Sequence, residues 1–91
     1  MIKSFKNKGL KELFLKGDSA KVNQDHHQKL LDQMDALDAA TEPQQMNVSG
    51  WNYHSLKGKP KRYSVHVNGN WCLTFEWDGE NAIRVDYEDY H

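Results

Sequence analysis

The sequence has little cysteine, little proline and no long apolar run. One cysteine among 91 residues allows neither an internal disulfide nor a cysteine-based zinc site, which fits a reducing compartment. No segment reaches the roughly 18 apolar residues of a membrane span, and the N-terminus lacks the apolar stretch of a signal peptide. We therefore expect a cytoplasmic protein, in which Cys72 needs another explanation.

The length of 91 residues supports one domain, residues 1–91, with one modest core. Apolar residues make up 37% and charged residues 27% of the chain, both within the globular range. Three Trp, four Tyr and three Phe supply bulky core material. The composition therefore favours a folded α+β protein without a buried cofactor over a disordered chain.

The net charge of −1 hides strong segregation along the chain. Residues 1–16 carry five Lys against one Glu, and residues 51–63 carry four basic residues and no acid. Residues 17–50 and 64–91 are acidic. Such runs are most often solvated faces, but nucleic-acid binding needs only local positive potential, which the basic segments can provide.

The first part of the chain predicts a short strand and a helix. Met1 to Phe5 is strand-like, and in the segment that follows Leu10, Leu13 and Phe14 share one helical face. Gly17 is placed to end this helix.

A second amphipathic helix is predicted after a cap at Asn23. Its apolar residues recur at helical spacing: Leu30, Leu31, Met34 and Leu37. Thr41 to Met46, with Pro43 in its first turn, predicts a brief helical connector.

From Trp51 onward the apolar period changes to two, which is typical of strands. Candidate strands span 51–56, 62–67, 71–77 and 82–87, and the last three are separated by the strong hairpin signals Asn68-Gly69 and Asp78-Gly79. We expect an antiparallel meander with the two helices packed on one face.

Alternation along these strands sorts their side chains into two faces. The apolar set, expected to lie under the helices, is Tyr63, Val65, Val67, Trp71, Leu73, Phe75, Trp77, Ile83, Val85 and Tyr87. The polar set, expected on an uncovered face, is Arg62, Ser64, His66, Cys72, Thr74, Glu76, Arg84, Asp86, Glu88 and, if the strand continues, Tyr90. His26 and His27 are expected at the solvent side, without a metal site.

Segments along the whole chain resemble the HigB killer proteins, the toxins of HigB–HigA pairs in the RelE/ParE superfamily. The segments are Ile2 to Lys6 with Gly9-Leu10, Asp38 to Thr41, His54 to Gly58, Val67 to Trp71, and Asp86 to His91. The resemblance implies a compact RelE-like fold with a curved, mainly antiparallel sheet, and a ribosome-dependent mRNA endoribonuclease that uses no metal or other cofactor. It also implies a HigA-type helix-turn-helix antitoxin, cleavage in the 30S A site, and contact with operator DNA through the antitoxin.

By position, the resemblance assigns His54, Lys57, Tyr90 and His91 to the active site. Cys72 stands where the family usually has an arginine. We expect the basic residues Lys59, Lys61, Arg62 and Arg84 to bind RNA.

Metal-free RNA cleavage requires deprotonation of the 2′-hydroxyl, stabilisation of a charged phosphorane and protonation of the 5′-oxygen. His54 or His91 could transfer protons, Lys57 could bind phosphate, and Tyr90 could stack on a base. Ignoring the resemblance, each of these side chains is an ordinary surface residue more often than a catalyst.

Cysteine cannot imitate the phosphate fork of arginine, and nothing beside it in sequence suggests a cysteine nucleophile. Either the homologue works naturally with fewer charges, using Arg62 or Arg84, or the chain is an attenuated toxin. The alternatives in other functional classes are a ParE-like inhibitor of DNA gyrase and an antitoxin-binding module without activity.

Overall fold

The computed structural model describes residues 1–89 and has the predicted α+β architecture. In chain order the elements are α1 (Lys8–Lys16), a 3₁₀ turn (Gln24–His26), α2 (His27–Ala39), a second 3₁₀ turn (Pro43–Met46), β1 (His54–Leu56), β2 (Arg62–Asn68), β3 (Trp71–Asp78) and β4 (Asn81–Asp89). The strands form one antiparallel sheet in the order β1-β2-β3-β4, so the predicted meander is confirmed. Within residues 1–89, no helix is long and apolar enough to cross a membrane.

Local capping explains where the helices begin and end. The Asn7 side chain accepts a hydrogen bond from the Leu10 N–H at 3.0 Å, which caps the start of α1. Gly17 ends α1 in the left-handed region, with φ of 70°, as predicted. Asn23 caps the first 3₁₀ turn, which leads directly into α2.

Both helices contribute to one hydrophobic core against the sheet. Leu10 of α1, Leu30, Met34 and Leu37 of α2, and Val65, Leu73, Phe75 and Val85 of the strands are all fully buried. Burial of such side chains is the main stabilising contribution to a domain of this size. Five of the predicted apolar helix residues are therefore confirmed as core, while Phe14 and Leu31 are partly buried and pack against it.

The N-terminal segment is less regular than predicted. Instead of a strand, it makes two isolated parallel bridges with β4, pairing Ile2 with Ala82 and Phe5 with Val85. The Lys6 N–H donates to the Val85 carbonyl at 2.8 Å. The segment thereby covers the outer edge of β4, which would otherwise leave backbone groups unpaired.

A β-bulge in β4 changes which residues face the core. Thr74 lies opposite Asp86, but Glu76 lies opposite Ile83, so β4 has one extra residue between these pairs. Arg84 adopts φ of 51° in this interval. Because one extra residue inverts the alternation, the fully buried residue is Ala82, and the prediction that Ile83 faces the core is wrong.

His26 is also placed differently from the prediction, because it is buried, with 3% of its surface exposed. Its Nδ1 forms a short hydrogen bond with the Tyr87 hydroxyl, and the ring of Trp71 stacks on Tyr87 at 4.4 Å. Burial raises the pKa of the Tyr87 phenol above its ordinary value. This aromatic cluster ties the first 3₁₀ turn to the end of β4.

The bulge can be tested with two asparagine substitutions at adjacent positions. Ala82→Asn would place an unpaired amide in a fully packed site, so we expect it to lower the free energy of unfolding by about 3 kcal/mol. Ile83→Asn should cost about 1 kcal/mol or less, because Ile83 lies opposite Glu76 and outside the core cluster. Urea denaturation measures both values, and the reverse order would show that the bulge is absent in solution.

Candidate active site

The sheet face opposite the hydrophobic core carries a cleft of about 560 Å³. It is formed by the N-terminal segment, the β1–β2 loop and residues of β2, β3 and β4: Lys6, Lys57, Gly58, Lys59, Pro60, Arg62, Glu76, Arg84 and Glu88. Five of these residues are basic and two are acidic. A concave surface with this balance attracts the phosphate backbone of a nucleic acid.

Arg62 is held in this cleft by Glu88. Its Nη1 donates to Glu88 Oε2 at 2.7 Å, and the Thr74 hydroxyl donates a short hydrogen bond to the same oxygen. Both charged side chains are mostly buried, with 32% and 25% of their surfaces exposed. This contact holds the guanidinium in one orientation, from which it can contact a phosphate, while Glu88 offsets part of its charge.

Arg84 forms the second ion pair of the cleft. Its Nε lies 3.0 Å from Glu76 Oε2, and its side chain is 57% exposed. Arg84 lies in the β-bulge, next to Ile83, which is the cross-strand partner of Glu76. Because the pair is largely solvated on the arginine side, it fixes Arg84 less firmly than Glu88 fixes Arg62.

Cys72 lies in the middle strand, directly opposite His66 on β2 and Glu88 on β4. Its relative exposure is 9%, while Ser64 and Thr74 on the same face are fully buried. The expectation that this polar face is uncovered is therefore wrong at Ser64, Cys72 and Thr74. These short side chains lie among longer ones such as Arg62 and Glu88. The thiol contributes no permanent charge, but its cross-strand neighbour Glu88 holds the guanidinium of Arg62.

His54 on β1 has a defined ring orientation. Its Nδ1 lies 2.9 Å from the Asn52 carbonyl oxygen, which can only accept, so Nδ1 carries the proton. Asn52 has φ of 49°, a left-handed conformation that asparagine tolerates better than most residues. In the neutral ring the exposed Nε2 is then a proton acceptor, as a general base requires.

In His66, unlike His54, Nε2 is already engaged in a hydrogen bond. Its Nε2 donates to the Gly69 carbonyl at 2.8 Å, so the ring is tied to the β2–β3 turn. The side chain is half-buried and does not line the cleft. The geometry therefore favours His54 over His66 for proton transfer.

The structure brings together four of the predicted site residues and separates others. Lys57, Lys59, Arg62 and Arg84 all line the cleft. His54 does not line it, but lies on β1 opposite Ser64 of β2.

Lys61 points elsewhere, because its Nζ lies 5.5 Å from the centre of the Tyr63 ring, on the apolar side. Tyr90 and His91 lie outside the described residues.

Three charged residues of the cleft were not assigned to the site from the sequence. Lys6 belongs to the N-terminal lysine cluster, which was the available signal. Glu76 and Glu88 were placed on the correct face, but their arginine partners depend on strand register and on the bulge. Sequence alternation alone does not show those pairings.

Two helices on one face of a four-stranded antiparallel sheet, with a basic cleft on the other face, define a RelE-like toxin. Residues 3–91 match a family model described as the RelE-like toxin of the type II toxin–antitoxin system HigB. The chain is also 42% identical to endoribonuclease HigB of Proteus vulgaris, over 92 aligned residues that cover the full length of both proteins.

The chain belongs to the HigB-like toxin family. It is the toxin of a type II toxin–antitoxin system, with mRNA endoribonuclease activity, and its partner is an antitoxin. The fold and the family inferred from the sequence are thereby confirmed.

Neutralising Glu88 tests whether it masks a phosphate-binding charge. In Glu88→Gln, Arg62 would lose its carboxylate partner, so single-stranded RNA should bind more tightly, with a salt dependence steeper by roughly 0.7. Fluorescence anisotropy with a short oligonucleotide at several salt concentrations measures both quantities. Glu80→Gln, in the exposed β3–β4 turn, is the matched control. Equal binding by both variants would refute the masking role of Glu88.

Proposed function

We propose that the protein cleaves mRNA in the A site of translating ribosomes, and that Arg62 supplies the guanidinium charge absent at position 72. The observation that carries the proposal is that Glu88 accepts hydrogen bonds from Arg62 and Thr74. Because Glu88 lies directly opposite Cys72, it holds the Arg62 guanidinium on the same face of the sheet. The basic cleft around it supports binding of an RNA backbone. Residues 1–91 act as one toxin domain in the cytoplasm.

In the proposed reaction, a histidine removes the proton from the 2′-hydroxyl, whose oxygen then attacks the neighbouring phosphorus. The bond from phosphorus to the 5′-oxygen breaks, and that oxygen takes up a proton from a second group. The products are a 2′,3′-cyclic phosphate and a 5′-hydroxyl. His54 and His91 share the two proton transfers in this scheme.

The remaining roles follow from charge and position. Lys57 and Arg62 contact the phosphate oxygens and stabilise the negative charge of the phosphorane. Tyr90 stacks on a base beside the cut. Lys59 and Arg84 bind neighbouring phosphates at the edges of the cleft, where both side chains are exposed.

Membership of the family supports the proposal for the biological partners. An antitoxin of the HigA helix-turn-helix type silences the toxin, and operator DNA is contacted mainly through that antitoxin. In this proposal the ribosome presents the mRNA in its A site.

Ribosome dependence can be tested by primer extension on a transcript that is translated in a reconstituted system. We expect discrete cuts within A-site codons and little cutting of the same transcript without ribosomes. Equal cutting in both cases would contradict the ribosomal part of the proposal. Intact transcripts with DNA damage in cells would instead indicate a ParE-like gyrase inhibitor.

Cys72→Arg measures how far Arg62 replaces the arginine usual in the family. Removal of a transition-state donor costs roughly 100- to 1,000-fold in rate. If Arg62 supplies that charge, adding a second guanidinium beside Glu88 should raise single-turnover cleavage less than about 10-fold. Cys72→Ser is the control for loss of the thiol. A gain of 100-fold or more would show instead that the present chain is attenuated.

A further inference from the structure

A second concave surface lies along α1 and adjoins the cleft at Lys6. It is a groove of about 350 Å³ lined by Phe5, Leu15, Glu12 and four lysines, Lys6, Lys8, Lys11 and Lys16. We call it the α1 groove. None of the catalytic roles above uses its α1 residues.

The apolar part of the α1 groove is Leu15 together with Phe5. Leu15 is 60% exposed, and it shares a helical face with Lys8 and Lys11, at spacings of i, i+3 and i+7. The opposite face of α1 buries Leu10 and the other core residues. A single exposed leucine is unremarkable, but this one lines a concave surface where a side chain from another molecule can pack.

The charge of the α1 groove is strongly positive. Within residues 1–89, none of its four lysines forms an ion pair. Its acidic residue, Glu12, already lies 3.8 Å from Lys21. A complementary ligand therefore carries carboxylates or phosphates around an apolar centre.

We propose that the α1 groove is the docking site for an acidic, amphipathic segment of the antitoxin. A leucine-like side chain from such a segment would pack on Leu15 and Phe5, while Asp or Glu residues of the segment pair with the lysines around them. RNA phosphates could pair with the lysines but would make no contact with the apolar side chains of Leu15 and Phe5. The observations therefore favour a protein as the ligand of the groove. The inference rests on membership of a type II toxin–antitoxin family and not on the cleavage mechanism.

Lys6 connects the α1 groove to the active-site cleft, because it lines both. An antitoxin segment that pairs with Lys6 would lie at the rim of the cleft and would remove one positive charge from it. Docking on α1 therefore weakens RNA binding without covering Arg62 or Lys57.

The test compares variants of the full-length toxin in calorimetric titrations with its purified cognate antitoxin. Leu15→Asp should weaken binding at least about 30-fold, because it places a carboxylate at the centre of the contact. Lys11→Glu should weaken it by a smaller factor that shrinks as salt increases. Both residues are exposed, and thermal unfolding confirms that the variants remain folded.

Val48→Asp is the matched control, since Val48 is another exposed apolar residue, 39% exposed and outside the groove. We expect this variant to bind the antitoxin like the unchanged toxin. Antitoxin affinity unaffected by Leu15→Asp would overturn the proposal, and so would a loss of the same size in Val48→Asp.

Cleavage of translated mRNA by the same variants, measured without antitoxin, gives an independent readout. Leu15→Asp and Lys11→Glu should cut as fast as the unchanged toxin. If Lys11→Glu slows cleavage and leaves antitoxin affinity intact, the groove is an RNA path and the proposal is wrong. If no form of the toxin cuts RNA, the proposed ribosomal activity fails, while the antitoxin titrations still decide the docking site.

Discussion

The carboxylate of Glu88 connects the three long strands of the sheet at the floor of the active-site cleft. It belongs to β4, accepts a hydrogen bond from Thr74 on β3, and pairs with Arg62 on β2. The ion pair is mostly buried, so it is less screened by solvent than a surface pair, and loss of either partner would leave the other charge poorly compensated. This contact determines the position of the Arg62 guanidinium in the cleft. The charge distribution of the cleft depends on it, because Cys72, the cross-strand neighbour of Glu88, is uncharged.

The β-bulge at Arg84 serves the same surface. Under strict alternation Ala82 and Arg84 would lie on the same face of the sheet. The extra residue in β4 lets Ala82 face the core while Arg84 lies on the cleft face beside Glu76. The bulge therefore allows β4 to complete the core on one face and to supply a basic side chain to the cleft on the other. Bulges frequently redirect side chains next to active sites in this way.

Much of this fold could be predicted from the sequence, because its signals were local. Turn dipeptides such as Asn68-Gly69 specified the meander, and helical spacing identified Leu30, Met34 and Leu37 as core. Burial of His26 and the face of Ile83 were predicted wrongly. The first depends on a distant tyrosine and the second on a bulge without a sequence marker.

The candidate site shows the same difference between local signals and tertiary contacts. Lys57, Lys59, Arg62 and Arg84 were identified as basic residues of strands or loops and do meet in one cleft. Their pairing with Glu76 and Glu88 is a tertiary property, set by strand register and long side chains. Local charge patterns show which residues are basic, but not which of them are held by a carboxylate.

Single-turnover cleavage of translated mRNA by Arg62→Gln, with and without Cys72→Arg, tests most directly whether Arg62 carries the missing charge. If Arg62 carries that charge, Arg62→Gln alone should lose roughly 100- to 1,000-fold in rate, and adding Cys72→Arg should recover at least about 10-fold. Because the second substitution restores a guanidinium to the same strip, recovery would identify charge as the cause of the loss. An Arg62→Gln toxin that cuts at the original rate, or one that Cys72→Arg does not improve, would contradict this role of Arg62.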